Sequence, residues 1–319
     1  MTRPLLNIHV DVDNLWIAEQ EQGLPESELQ GLVFRDAMPR FLNAFAHAGV
    51  KATFFVVGRD IEMLPDCQTF CREAVKAGHR LGNHTYSHPP DPARLSRDEK
   101  RREVLLTDRL LTEHGGLKTT GFRGPGYYID DEFLTVLEEN GYIYDTSVLP
   151  GPGVFLMQLY FLATTRSASG KIFGRPVYPF ISRRPHRLRP RSQGNHAGLV
   201  ELPITTMPFL RTPMHTTFVY QFGMRYVKAA MGLLRRQAGP HAYIFHAIDL
   251  LDYPQDGPLM GRIVPLRWPL TRRLDLVKWL LDQTEQFDVV TTEEMLASSA
   301  VDLGLVSNTV LDRHLAPSR

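Results

Sequence analysis

A chain of 319 residues with 36 basic and 35 acidic side chains has a formal charge of +1, so the whole molecule carries no nucleic-acid or membrane signal. With 43% hydrophobic residues it can bury a large core, as one barrel or two modest domains. Cys67 and Cys71 lie four apart in an expected helix, which argues against a disulfide framework and suits a reducing compartment. No run of about 18 apolar residues occurs, so no transmembrane helix is expected. Residues 1–6 lack the apolar core and small-residue cleavage site of a secretory signal. The expectation is a soluble, cytoplasmic protein.

Residues 5–12 are apolar and β-branched and predict a buried strand ending in Asp11-Val12-Asp13. Side chains two apart on a strand share a side, and paired carboxylates repel unless a cation or proton intervenes. The alternative is an ordinary polar turn. Phe34, Met38, Phe41, Leu42 and Phe45 fall at helical spacing, with a stop near Gly49. A strand over 52–57 and a helix over 61–76, closing at Gly78, lead to a third short strand. That strand runs into Gly82-Asn83-His84-Thr85-Tyr86-Ser87-His88-Pro89-Pro90. His84 and His88 can bring two ring nitrogens onto one ion, although His-x-x-x-His without a neighbouring Glu is a weak motif by itself. Alternating strands and helices predict βαβ units and a parallel sheet, with chemistry at the carboxyl ends of the strands. Asp11, Asp13, His84 and His88 all fall there.

A charged helix over about 96–113 opens on a Ser96–Glu99 capping box, and its Glu and Arg residues read as a solvated face. The loop Phe122-Arg123-Gly124-Pro125-Gly126 follows a strand; Arg123 can orient a carboxylate, and glycine leaves backbone N–H groups approachable. A helix over 130–140 precedes a strand over 142–148, in which the charge of Asp145 needs a partner. Residues 146–200 contain no Asp or Glu, but Arg166, Lys171, Arg175, Arg183, Arg184, Arg187, Arg189 and Arg191 follow an apolar run at 154–162. That pairing suits an anionic lipid surface or a phosphate-bearing substrate; the alternative is a buried helix and a solvated arginine loop. A strand over 199–205, a helix over 223–237 and a strand over 242–246 come next, with His246 at the strand end. A loop over 258–269, a helix over 271–283, a strand over 287–291 and a helix over 292–298 complete the pattern. Without a repeat or composition break, residues 1–300 read as one domain with a basic and apolar insert at about 150–198, and 301–319 as a tail.

Taken in order, Asp11-Val12-Asp13, Gly82 through His88, Phe122-Arg123-Gly124-Pro125, Tyr144-Asp145-Thr146-Ser147 and Ile244-Phe245-His246 resemble the motifs of the polysaccharide deacetylase family, the carbohydrate esterases with a NodB-type domain. The resemblance covers roughly residues 5–295. Asp-x-Asp, in place of adjacent aspartates, resembles the branch holding certain peptidoglycan deacetylases, cyclic-amide hydrolases and lipid-linked aminosugar deformylases. The resemblance implies an α/β fold, a distorted (β/α) barrel with seven or so parallel strands. It implies a divalent ion on Asp13, His84 and His88, and zinc suits that ligand set. Asp11 would be the general base, held by Arg123, with Gly126 at the oxyanion, Asp145 among the catalytic residues and His246 as the acid. Spacing alone would let Asp11 and Asp13 exchange roles. The implied activity is removal of an N-acetyl or N-formyl group from an amino sugar, free or carried on a polyprenyl phosphate as a cell-envelope precursor. Cyclic-amide hydrolysis and a carbohydrate-binding relative without turnover are the alternatives. The insert would touch anionic membrane peripherally, at its inner face.

Overall fold

The computed structural model describes residues 3–152, 158–159, 174–175, 178–189, 198–209, 211–237 and 239–297. They form one sheet: β1 (Leu5–Val12), β2 (Thr53–Val56), β3 (Arg80–Asn83), β4 (Gly121–Phe122), β5 (Tyr144–Asp145), β6 (His186–Leu188), β7 (Leu199–Glu201), β8 (His241–His246) and β9 (Asp288–Val289). The strand order is β6-β7-β5-β4-β3-β2-β1-β8, with β9 also on β1. Every pairing is parallel except β6 on β7. The parallel barrel expected from the sequence is therefore present, with an antiparallel edge strand where a loop was expected. Its ladder is open between β7 and β8. There Thr205 N–H donates to Ala242 O at 3.3 Å and His215 bridges to Ile244.

The helices are α1 (Leu15–Glu21), α2 (Met38–Ala48), α3 (Gly58–Met63), α4 (Pro65–Lys76), α5 (Arg97–Gly115), α6 (Asp131–Glu139), α7 (Thr216–Phe222), α8 (Met224–Leu234), α9 (Leu270–Asp282) and α10 (Thr292–Ala297). The helix expected over 61–76 is two helices, because Pro65 cannot continue one and Leu64 before it is extended. Gly49 closes α2 in the left-handed conformation, and Ser96 and Glu99 close a complete capping box on α5, both as the sequence predicts. Helices α1 and α7 and strand β6 are unanticipated.

Period-2 alternation along β1 sorts the two layers. Leu6, Ile8, Val10 and Val12 face outward and pack with Phe54 and Val56 of β2 against Phe41, Phe45 and Phe70 from α2 and α4. Asn7, His9 and Asp11 face the barrel interior and are buried. That interior is a polar shaft closed at the bottom by α10: His9 Nε2 lies 3.2 Å from Thr292 Oγ1, and Tyr144 O–H donates to Glu293 Oε1 at 3.1 Å. Close packing leaves no room at Gly82, where a Cβ would lie 2.4 Å from the Phe55 ring. Cys67 and Cys71 are free and buried in α4. No helix among the described residues is long and apolar enough to cross a membrane. Most of the apolar run at 154–162, together with Arg166, Lys171, Arg191 and the 301–319 tail, lies outside the described residues.

Candidate active site

The top of the shaft opens into a cavity of about 250 Å³ lined by Asp11, Asp13, His84, His88, Gly126 and His246, among others. The chain at and just past the ends of β1, β3, β4 and β8 brings four of the five motif regions together at this cavity. Asp11 and Asp13 continue the inward parity of His9 on β1. His84 continues that of Gly82 on β3.

Asp13, His84 and His88 present ligand atoms that all lie within 4.8 Å of one another. Asp13 Oδ1 is 3.3 Å from His84 Nε2 and 3.6 Å from His88 Nε2. His84 Nδ1 lies 2.7 Å from Arg123 O, and a carbonyl only accepts, so Nδ1 carries the proton and the Nε2 lone pair faces the cluster. Burial opposes ionisation of Asp13, but the adjacent His88, His84 and His246 hold its carboxyl well below the usual range. An ionised carboxylate and two imidazoles, one oriented by its second nitrogen, suit a divalent ion of the zinc type.

The turn carrying the two histidines is strained: Thr85 and His88 adopt φ of 62° and 45°. Glu103 of α5 holds it, accepting from Tyr86 N–H at 2.9 Å, Ser87 N–H at 2.7 Å and Ser87 Oγ–H at 2.7 Å. The solvated face expected for α5 is thus corrected at this residue. Nothing in the sequence joins Glu103 to a turn sixteen residues earlier. Glu103→Ala is expected to weaken metal binding by about 10- to 100-fold, as loss of outer ligand support does. A chelator-competition titration checks it, and unchanged affinity contradicts it.

Arg123 is fully buried and spans the shaft. It donates to Asp11 Oδ1 at 2.8 Å and Thr146 Oγ1 at 3.2 Å, and its guanidinium carbon lies 4.6 Å above the Phe55 ring. Its third partner is His9 Nδ1 at 2.7 Å, which must accept because a guanidinium only donates. Burial first, and then the Arg123 charge, push His9 well below its ordinary pKa, so it is neutral. His9 is a site residue outside the motifs, and Thr146 lies within one of them but gains its role only through Arg123.

Asp145 does not reach the cavity. The parity of β5 turns Tyr144 and Thr146 inward and Asp145 outward, beside Glu201 of β7. Asp145 instead accepts from Ser147 Oγ–H at 2.6 Å and Ser147 N–H at 3.1 Å, while Ser147 Oγ accepts from Gly124 N–H at 2.8 Å. Burial pushes the Asp145 and Glu201 carboxyls up together. Asp145 is therefore a positioning residue for the Gly124 loop, a correction to its place among catalytic residues. In that loop Gly126 takes φ 59° at the cavity wall, and Gly174 N–H donates to Gly126 O at 2.6 Å. Gly174, inside the basic stretch, thus rests against the loop that borders the cavity.

His246 ends β8 in register with Asp11, and its Nε2 lies 3.9 Å from Asp11 Oδ2. Its backbone N–H donates to Asp249 Oδ2 at 2.9 Å. On the other flank Asn14 caps α1, and Asp60 Oδ1 accepts from Asn14 Nδ2 at 2.8 Å and Trp16 Nε1 at 3.0 Å. Burial outweighs both bonds and pushes the Asp60 carboxyl up to about 6. A raised folded-state pKa means that Asp60 contributes full stability below about pH 4 and loses it as pH rises through about 6. Asp60→Asn keeps the acceptor oxygen. Relative to the parent it is expected to gain stability from pH 4 to pH 7, by at most about 3 kcal/mol. Parallel denaturant titrations across that range read the difference, and a constant difference contradicts it.

Residues 29–144 match the family model described as polysaccharide deacetylase. His84, His88 and Arg123 fall inside that span, whereas Asp11, Asp13 and His246 fall outside it. A peptidoglycan-N-acetylglucosamine deacetylase of Bacillus cereus is 32% identical over 111 residues, covering 34% of this chain and 39% of that protein. The chain thus matches less than half the length of that relative. A peptidoglycan deacetylase-like protein of Gibberella zeae is 29% identical over 284 residues, 84% of this chain and 76% of its own. A Mycobacterium smegmatis crystal structure assigned to the polysaccharide deacetylases superposes with a TM-score of 0.62 at 17% identity, over 96% of this chain and 92% of that one, a likeness of fold. Residues 29–144 thus carry the match to the polysaccharide deacetylase family, and they lie on a mostly parallel barrel like that of the solved structure it resembles.

Proposed function

We propose that this protein is a metal-dependent hydrolase that removes an N-acetyl or N-formyl group from an amino sugar. The observation that carries the proposal is the division of labour on Asp11. Its Oδ1 is taken by Arg123 at 2.8 Å, while Oδ2 faces His246 Nε2 at 3.9 Å beside the Asp13, His84 and His88 cluster. Those three residues would hold a divalent ion, for which zinc is proposed. When bound, the ion acidifies the attacking water and steadies negative charge on the acyl oxygen. Asp11 Oδ2 keeps a free lone pair and takes the proton of that water. The backbone at Gly126 borders the place where the acyl oxygen would sit. His246 Nε2 delivers a proton to the departing amine, which an amide requires because its leaving group is poor. The products are the free acid and the amine.

A cavity of about 250 Å³ lies at the small end of ligand pockets, which fits one acylated sugar residue better than a stretch of polymer. A lipid-linked sugar at an anionic membrane is part of the proposal. It is supported by Phe180 and Phe209, exposed at 74% and 90%, on two segments joined by Arg211 Nη1 donating to Ile181 O at 2.8 Å. Arg184, just before β6, and Arg187, within it, are exposed a few residues along the chain from Phe180 and would supply charge to meet anionic headgroups. Cosedimentation with anionic vesicles is expected, and is expected to fall when Phe180 and Phe209 are both changed to Ser; no retention of the parent contradicts it. Action inside the cell is likewise proposed, on the two free buried cysteines. The catalytic proposal is tested by acetate or formate release from N-acylated amino sugars, free and lipid-linked. No release from either class overturns it.

A further inference from the structure

His215 lines the cavity at 1% exposure, and neither of its ring nitrogens has a hydrogen-bond partner. Five other buried histidines give the contrast. His79 Nδ1 accepts from Ala52 N–H at 3.1 Å, and His241 Nε2 lies 3.2 Å from Leu234 O. His186 Nδ1 lies 3.0 Å from Arg184 O, and His9 and His84 are bonded as described above. A histidine kept for the core alone would be satisfied in this way.

The position of His215 is fixed. Its backbone bridges to Ile244 of β8, two residues before His246, and it stands extended at the N-terminus of α7. Its ring meets Phe218 edge-on at 4.9 Å between centroids and His246 at 5.7 Å. Burial first, and then the His246 and Arg123 charges, hold it well below its ordinary pKa. A neutral imidazole offers one N–H donor and one lone pair, and a hydroxyl, which both donates and accepts, satisfies either.

We propose that His215 is a substrate-contacting residue that hydrogen-bonds the hydroxyl beside the amide-bearing carbon of the sugar. This rests on the deacetylase reading above, because it places His215 on the leaving-amine side, next to the acid His246. A site that bonds a hydroxyl rejects the analogue lacking it, so His215 selects for sugars.

The test compares zinc-loaded wild type, His215→Phe and His215→Asn on N-acetylglucosamine and its 3-deoxy analogue. His215→Phe fits against Phe218 and is expected to keep the wild-type melting temperature and zinc content. Its kcat/KM on N-acetylglucosamine is expected to fall about tenfold or more, with no difference from wild type on the 3-deoxy analogue. His215→Asn, which keeps a donor and an acceptor, is expected to recover part of the loss, and it carries the comparison if the Phe variant does not fold. Equal activity on both substrates, or an equal loss on both, overturns the proposal. If wild type cleaves neither substrate, the deacetylase reading fails for this amide and His215 is read by NMR during glucosamine titration. A moving His215 Cε1–H resonance then supports the contact, and an unmoved one overturns it.

Discussion

Asp11→Asn is expected to purify with its metal and turn over at least about 100-fold more slowly, whereas Asp13→Ala is expected to lose both metal and turnover. The two carboxylates lie two residues apart, Asp11 near the end of β1 and Asp13 just past it, yet their surroundings differ. Asparagine at 11 keeps an oxygen for Arg123 Nη1, which donates to Oδ1 at 2.8 Å, so the shaft stays assembled. It replaces the lone pair of Oδ2, the oxygen turned toward His246, with a donor that cannot take a proton. Asp13 has the opposite environment: its Oδ1 looks onto two imidazole nitrogens at 3.3 and 3.6 Å. Removing it leaves two neutral ligands where three donors and a charge are needed. Metal content by elemental analysis beside single-substrate kinetics separates the roles. A metal-free Asp11→Asn with a metal-loaded Asp13→Ala would mean that the two are exchanged.

Arg123→Met is expected to destabilise the fold by about 3–5 kcal/mol and to abolish most turnover, because it leaves the Asp11 charge buried without its partner. The cost arises at the centre of the barrel. Arg123 is wholly buried, as is Asp11 apart from 3% of its surface, and His9 and Thr146 lose the same donor. The double variant Arg123→Met, Asp11→Asn removes the stranded charge and is expected to recover part of the stability and none of the turnover. Urea denaturation of the three proteins reads this directly. A loss within about 1 kcal/mol for Arg123→Met would show that the pair contributes little.

Much of this site was legible because strand parity is a strict rule. Asp11 and Asp13 share a face with each other, and the Gly-Asn-His-Thr-x-x-His segment had to follow a strand. The same rule, carried two residues back, reaches His9; what hid it was the need for Arg123, more than a hundred residues away, to give that histidine a role. Parity also decides Asp145, which falls outward between the inward Tyr144 and Thr146, but the frame of a two-residue strand is too short to read in advance. Pro65 splits its helix for a local reason that the sequence contains. Glu103 and His215 had no such signal. Glu103 looks like any acidic residue on a charged helix, and His215 sits in a segment whose course is set by its bridge to Ile244 rather than by hydrophobic period.

The measurement that bears most directly on the central claim is metal content and acetate release together, in wild type and His84→Ala purified without chelator. N-acetylated amino sugars would be supplied free and lipid-linked. The expected result is about one divalent ion per wild-type chain with acetate released, and neither for His84→Ala. Wild type that binds no ion under metal-replete conditions would contradict a metal-dependent hydrolase and leave a carbohydrate-binding barrel in its place.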